Sequence, residues 1–383
     1  MKKENTYDII LCGGGASSLL LLMSLLDDPF FHTHKILLLE KEKKTQNDRT
    51  WSFWEPPTTP TLSALAHQWD KALFQTNSFN RSFSLAPFQY KTLRSQSFYA
   101  HCYDRIAATS QVELRYETVS SVTQASDAAV VTTEKAAYTG HKVFTSLPTQ
   151  VHLAQSRYPV LQQHFIGWFI ETEEEVFDPE KVTFMDFDLP QKGNTRFMYV
   201  LPFSKTQALI EYTLFSAELL KDEEYEAAIK DYLLQLGVKE YKKTEKEQGS
   251  IPMTAYPFWK HNSSNILHIG TSGGWTKAST GFTFKKSIRK IERLRPFLKT
   301  NQPLSSFEKK TRFDFYDMLF LDVLTKQNDK GGALFQKLFQ KNPAHRILSF
   351  LDDQTHFGQE LLIMRSFPVG PFLRALSKRI LGL

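Results

Sequence analysis

Cysteine is nearly missing from this chain. There are two in 383 residues, Cys12 and Cys102. They form neither a CxxC pair nor a disulfide framework, so a reducing cytosol is the expected setting. Motifs for metal and acyl chemistry are missing too: no HExxH, GxSxG or GKS/T stretch occurs. The histidines are scattered, and His32 and His34 read as ordinary loop residues, so no metal site is expected. There is no internal repeat and no low-complexity tract. The charge excess is small, +6. Without a basic stripe or a recognised binding motif it argues against nucleic acid, while an anionic membrane surface stays compatible. Only one long hydrophobic run occurs. Ile9–Leu26 is free of charge and follows Lys2 and Lys3, as in a signal peptide or a membrane span. Three consecutive glycines at its centre break a helix where a span must be strongest. Glu4 and Asp8 spoil the basic flank, so neither is expected.

Phenylalanine is what the chain has in excess, 31 residues. Phe supplies wide, rigid apolar surface. That suits a deep hydrophobic substrate tunnel, or a plain aromatic core. The length allows two domains or more.

The chain is organised around Tyr7–Glu40, YDIILCGGGASSLLLLMSLLDDPFFHTHKILLLE. Tyr7–Cys12 is an apolar run of strand length. Gly13, Gly14 and Gly15 follow where a strand must turn into a helix. Ser17–Leu26 continues as helix, and Lys35–Leu39 is the next strand, closed by Glu40. In such a βαβ unit the helix N-terminal amides meet a pyrophosphate, and the acid at the end of the second strand takes a ribose hydroxyl. Gly13 permits the turn, and Gly15 lets a phosphate approach the backbone. Ser18 replaces the third glycine and is small enough to pack near the sheet. The dinucleotide candidates are Gly13, Gly15, Ala16, Ser18 and Glu40. A glycine-rich turn in an ordinary α/β domain is the plainer alternative.

A basic stretch from Lys41 to Thr50, containing Arg49, leads into the aromatic cluster Trp51–Pro57. That cluster is expected to fold back over another part of the molecule or to pack as a loop under the core. Ser95–Ala108 reads as helix. Val112–Val122, Ala128–Val131 and Lys142–Phe144 read as strands that return to the nucleotide sheet, which makes the cofactor domain discontinuous. Gln163–Glu171, Phe197–Phe203 and Ala208–Phe215 are rich in β-branched and aromatic residues and predict an antiparallel sheet over one face of a pocket. Two carboxylates sit in apolar runs there: Asp186 in Val182–Phe187 and Glu211 in Ala208–Phe215. Alternation puts Leu209, Glu211, Thr213 and Phe215 on one face. A carboxylate among such neighbours is costly to bury ionised, so it pairs or keeps its proton. A retained proton is what a general acid near neutral pH needs; a Glu reaching solvent or an arginine is the blander reading.

Residues 217–236 read as helix stopped by Gly237, and Gln248–Pro252 as a turn into an extended segment. Ile266–Gly270 is a third buried strand. It runs into Thr271–Gly281, whose glycines and hydroxyls can line a flavin. Paired with the first motif, this favours FAD over NAD. Beyond residue 300 the chain reads as helical, and its basic amphipathic end can lie on a membrane or pack on the core.

YDIILCGGGASS, DRTWSFWE, FMDF (Phe184–Phe187), LIEYT (Leu209–Thr213), QGSIPM (Gln248–Met253) and ASTGF (Ala278–Phe282) occur in that order over nearly the whole chain. Together they resemble the lycopene cyclases of the bacterial and plant β-cyclase type. The resemblance implies an α/β (α+β) fold like that of flavoprotein monooxygenases. Its parts would be a Rossmann-like FAD-binding domain over 1–160 and 246–300, an antiparallel-sheet substrate domain over 161–245, and a helical C-terminal region over 301–383. It implies FAD used in reduced form, with NAD(P)H as reductant. It implies lycopene as substrate, its ends cyclised to β-ionone rings (β-carotene via γ-carotene) without net redox change. Peripheral association with the cytoplasmic face of the inner membrane follows from such a substrate. The family's FLEET-type motif maps its essential acid onto Glu211, and its second acidic position is Tyr212 here. The family's MD pair matches Met185-Asp186, which makes Asp186 the partner acid or final base. Arg49, Gly270 and Gly281 join the cofactor set. A FAD-dependent hydroxylase or oxidoreductase using NAD(P)H, and a non-catalytic prenyl-lipid chaperone, remain alternatives. Nothing indicates the oligomeric state.

Overall fold

Thr6–Cys12 and Ile36–Glu40 are apolar almost throughout, as strands covered on both faces must be. They lie parallel, with Val112–Tyr116 beside one and Ala137–Thr145 beside the other. Ile266–His268 adds in parallel to the end of Ala137–Thr145, so this seven-stranded sheet gathers strands from distant parts of the chain. Ala129–Thr133 and Val119–Gln124 extend it in antiparallel fashion. Ile9, Leu11, Ile36 and Leu38 pack on helices Ala16–Leu26, Ser95–Ala107 and Phe284–Leu298. Ile10, Cys12, Leu37 and Leu39 point to the other face, towards Ala129, Val131 and Tyr138. The structure, a computed structural model, describes residues 5–59 and 65–381. Lys2, Lys3 and Glu4, whose charges bear on the export reading, lie outside them.

A second seven-stranded sheet stands over the first domain. Its order is Lys242–Met253, Leu161–Glu171, Gln207–Ser216, Thr195–Pro202, Lys181–Asp186, Lys71–Thr76, Phe79–Ser84. Neighbours are antiparallel except Lys181–Asp186 with Lys71–Thr76. One face buries Ile166, Trp168, Ile210 and Tyr212 under helix Asp222–Gln235. The other buries Phe184, Phe187, Phe197 and Leu209 against Phe335, Leu338, Phe339 and Leu348. Those partners come from Gly331–Lys341 and Ala344–Leu351, which with Arg312–Lys326, Phe357–Met364 and Val369–Leu381 make up the C-terminal helices.

Four sequence readings change. Val112–Val122 is two strands at opposite edges of the first sheet; the chain leaves at Glu117, whose buried carboxylate accepts from Thr133 Oγ1 at 2.6 Å. Gln248–Pro252 is no turn but lies inside the strand Lys242–Met253. The first residues of that strand are exposed and charged, which disguises it; charges on an edge strand discourage pairing with another chain. Trp51 belongs to the strand Thr50–Glu55, in a three-stranded sheet with Gln89–Arg94 and His67–Trp69. The second sheet also reaches beyond 161–245, drawing in residues 71–84 and 242–253.

The C-terminal helices are tied down by buried charge. Lys277 is fully buried, 3.0 Å from Asp317 Oδ1 and 2.6 Å from Asp353 Oδ1, and Lys286 sits 3.1 Å from Asp353 Oδ2. Burial alone would pull the Lys277 ammonium down, but the two carboxylates hold it above its ordinary range. Removing one member strands the others in a low-dielectric site. Lys277→Met is therefore expected to destabilise the protein by about 3–5 kcal/mol, measured by chemical denaturation. Lys277→Met with Asp317→Leu should recover much of that loss. A loss under about 1 kcal/mol, as for exposed pairs, would show that the network is solvated.

Candidate active site

At the first strand's end Gly13 takes φ 95°, a conformation that glycine adopts freely and other residues rarely. Gly14 N–H donates to Glu40 Oε2 at 2.5 Å, and Lys41 N–H donates to Glu40 Oε1 at 3.0 Å. Glu40 is buried and clamps the loop to the second strand. Gly15 begins the helix without a side-chain cap, and space is open where its Cβ would be. The first N–H groups of that helix are thus left for a ligand. Ser18 is buried and donates to Ser146 Oγ at 3.1 Å.

Gly15, Ala16 and Ser17 line one end of a cavity of about 750 Å³. Arg49, Thr50, Ser146, Gly270, Thr271, Thr280 and Gly281 line the same cavity. Gly270 has φ 64° and packs on Ser17, and Gly281 has φ 76° against the Gln163 carboxamide. Arg49 donates to the Asp48 carbonyl at 2.6 Å and reaches towards the Gln248 carbonyl. Five buried polar atoms of lining residues, Gln163 Oε1 and Thr280 Oγ1 among them, have no hydrogen-bond partner. An open helix N-terminus, close-approach glycines and unpaired polar atoms fit a flavin dinucleotide. Among the described residues no cluster of three His, Cys, Asp or Glu could hold a metal.

The other end of the cavity is aromatic. Tyr90, Phe184, Tyr199, Phe282, Phe335 and Phe339 line it. Phe184 and Phe282 stack at 6.3 Å, and Tyr90 meets Phe184 edge-on at 5.6 Å. Glu211 opens into this end. Alternation along Gln207–Ser216 decides its direction: Leu209 and Phe215 join the core on the cavity side, while Ile210, Tyr212 and Leu214 join the core under the helix. Glu211 Oε1 accepts from Thr213 Oγ1 at 2.6 Å. Burial pushes its carboxyl up to about 8, with the Glu247 charge adding to the shift and the Thr213 bond opposing it. No cation is among the groups that shift it, so the group is an acid at neutral pH. Tyr90 Oη is buried without a hydrogen-bond partner, and burial, with Glu211 nearby, raises it well above its ordinary value.

Asp186 is not brought to this cavity. A register shift between Thr183 and Asp186 leaves Phe184 and Met185 on the lining and turns Asp186 away. Its carboxylate accepts from Tyr232 Oη at 2.9 Å and from Asp188 N–H at 2.8 Å. Burial raises it above its usual range. The sequence reading missed Glu247 and Tyr90. Glu247, buried in the edge strand, accepts from Thr50 Oγ1 at 2.7 Å. Burial raises it to about 7. The period-two set Glu247, Gly249, Ile251, Met253 carried the signal for it. Tyr90 lies far from the other site residues in sequence, and no local pattern marks it.

Comparison with known proteins bears on both ends of the cavity. A lycopene beta-cyclase of Paracoccus sp. (strain N81106 / MBIC 01143) is 32% identical over 126 residues, covering 32% of this chain and 32% of that one. A lycopene beta-cyclase of Pantoea ananas is 29% identical over 150 residues, covering 37% of this chain and 38% of that one. The chain thus matches only about a third of the length of either curated relative. Among solved structures, a geranylgeranyl bacteriochlorophyll reductase-like protein from Thermoplasma acidophilum superposes with TM-score 0.68 at 12% identity, over 94% of this chain and 98% of that one. A mutant of the halogenase PltM in complex with FAD superposes with TM-score 0.58 at 11% identity, over 94% and 85%. The fold is therefore the α/β fold of these flavoproteins. Residues 8–377, from the first strand to the last helix and including both glycine loops and Glu211, match one family throughout: the chain belongs to the lycopene cyclase protein family.

Proposed function

We propose that this protein is a lycopene β-cyclase that closes the acyclic ends of lycopene into β-ionone rings. The observation that carries this is a buried carboxyl, Glu211, pushed up to about 8 by its burial, in the aromatic wall of a cavity that continues to a dinucleotide-type glycine loop, in a chain of this family. The end group lies with its terminal double bond against Glu211. The acid's O–H gives its proton to that bond, and a tertiary cation forms. The internal double bond attacks the cation and closes a six-membered ring. A neighbouring C–H then loses its proton and leaves the β double bond. One proton enters and one leaves, so no net redox change occurs. The vacated Glu211 carboxylate is the nearest base for the departing proton.

The remaining residues shape that step. Tyr90, Phe184, Tyr199 and Phe282 fold the end group into a reactive shape and exclude water that would trap the cation. Their faces also stabilise positive charge. Asp186 acts at a distance: bonded to Tyr232, it anchors the strand that presents Phe184 and Met185. Gly15, Ala16, Arg49, Gly270 and Gly281 would hold FAD, on a loop that Gly13, Ser18 and Glu40 shape, and the cofactor, kept reduced by NAD(P)H, would supply an electron-rich ring to stabilise positive charge.

A route for a bilayer-borne substrate supports the same reading. A second cavity of about 260 Å³, lined by Phe320, Phe367, Phe372, Leu373 and Leu376, shares Thr280, Phe335, Leu338 and Leu351 with the first. On its outer side Phe357, Leu361, Leu362, Val369, Leu373 and Ile380 are exposed, with Arg365, Arg374 and Lys378 exposed among them. No described helix is long and apolar enough to cross a membrane. We place these last helices on the cytoplasmic face of the inner membrane as a basic, apolar docking surface.

Co-expression with a lycopene-producing pathway in a bacterium tests the chemistry. The wild type is expected to turn lycopene into β-carotene. Glu211→Gln should keep its flavin and lose activity by about 10²–10⁴-fold, the usual contribution of a general acid. An oxygenated product with matching NADPH consumption would overturn the cyclase reading. Leu361→Ser, Leu373→Ser and Ile380→Ser together should release the protein from anionic vesicles without unfolding it, each lost anchor weakening binding by up to about 1.5–3 kcal/mol. Unchanged sedimentation with vesicles would place the membrane contact elsewhere.

A further inference from the structure

Glu211, Gly167 and Glu247 stand side by side on three adjacent strands: Gly167 pairs with Glu211 on one side and with Glu247 on the other. The two glutamates share a face, and the residue between them has no side chain. A Cβ on Gly167 would lie 3.3 Å from Glu247 Cγ and 3.5 Å from Glu211 Cβ. The Leu209 side chain covers that position, its Cδ1 2.9 Å from where the Cβ would be, so what lies between the two carboxyls is apolar. Both are buried, where like charges repel strongly. Glu211 lines the cavity and Glu247 does not.

Their surroundings differ in sign. Around Glu247 are Thr50, whose hydroxyl donates to it, and Arg49 and Arg94, which favour its ionised form; Glu245 opposes them. Around Glu211 are Thr213, Glu247, Tyr90 and, directly across the strand, Tyr199. No cation is among them. A pair in which only one partner has cations places the negative charge on that partner and the proton on the other.

We propose that Glu247 is a positioning residue for the acid: from the edge strand, across Gly167, its negative charge keeps the proton on Glu211. The charge therefore sits on the edge strand, beside Arg49 and Arg94, and the proton sits in the cavity, against the substrate. Gly167 is the residue between them, and it brings no polar side chain to divide the two charges. This role rests on the cyclase reading for its activity, but the pair itself does not.

The test is a pH profile of cyclisation by the flavin-loaded protein in lycopene-containing vesicles, for wild type, Glu247→Gln and Glu247→Asp. Glu247→Gln keeps the acceptor for Thr50 and removes the charge. Its alkaline limb is expected to move down by about one pH unit or more, since removal of a like charge favours ionisation of Glu211, while the rate on the acid side stays within about threefold of wild type by the same argument. Glu247→Asp should restore the limb. A rate lowered equally at every pH, or a profile unchanged, overturns the proposal. A second readout needs no substrate. A carboxyl whose folded value is raised contributes stability that is complete below its unfolded value and is lost as pH rises through its folded value. Melting temperature should therefore fall from about pH 4.5 to about pH 8 in the wild type, relative to Glu211→Gln. Measured against Glu211→Gln combined with Glu247→Gln, which leaves out the titration of Glu247 itself, the window in Glu247→Gln should close at lower pH. If wild type forms no cyclised product, the cyclase reading fails, and the melting profiles alone decide the pair: identical windows in wild type and Glu247→Gln would refute it.

Discussion

A carboxyl group taken out of water is cheapest to hold in its protonated form unless a cation follows it in. Glu211 has been taken in without one. It lies on a central strand with Thr213 as its hydrogen-bond donor and aromatic rings before it. An arginine or lysine at that wall would ionise the group and leave nothing to give. The rest of the site follows from this constraint. The wall must be apolar enough to keep the proton in place, and electron-rich enough to tolerate the charge that appears once the proton is gone. Aromatic faces satisfy both demands, which gives the abundance of Phe a physical use.

The same constraint explains how the two sheets are arranged. The nucleotide end needs backbone N–H groups, close-approach glycines and a cationic rim; the acid end needs dryness. A single cavity serves both because Gly13–Ser17 and Gly270–Gly281 bring backbone to one end while strands from the second sheet bring side chains to the other. The C-terminal helices close the dry end. Buried charge locks them at its edge: Lys277 beside Asp317 and Asp353 holds the loop before Gly281 to helix Arg312–Lys326 and to the end of helix Ala344–Leu351. Loss of that lock would loosen the wall facing Glu211.

Much of this was readable from the residues. Tyr7–Glu40 follows backbone rules that leave few options, and the inward turn of Glu211 follows from period two in a regular strand. Asp186 was not readable in the same way. The register shift beside it puts Phe184 and Met185 on the same side, so counting residues gives the wrong face. Glu247 was hidden by its strand's own defence: the exposed lysines and glutamates of 242–246 look like a solvated loop, although Glu247, Gly249, Ile251 and Met253 alternate inward behind them. Residues 71–84 joined the second sheet through a parallel pairing with Lys181–Asp186, a long-range contact that leaves no local periodic trace. Tyr90 reached the acid by the same kind of long-range placement.

The central claim is that Glu211 is a neutral acid at physiological pH. Infrared difference spectra of the flavin-loaded protein at pH 7, wild type against Glu211→Gln, read that state directly. The account predicts a protonated-carboxyl stretch in the wild type that disappears in the variant. A difference showing only the loss of an ionised carboxylate band would contradict it, because an anion at that position has no proton to start the reaction.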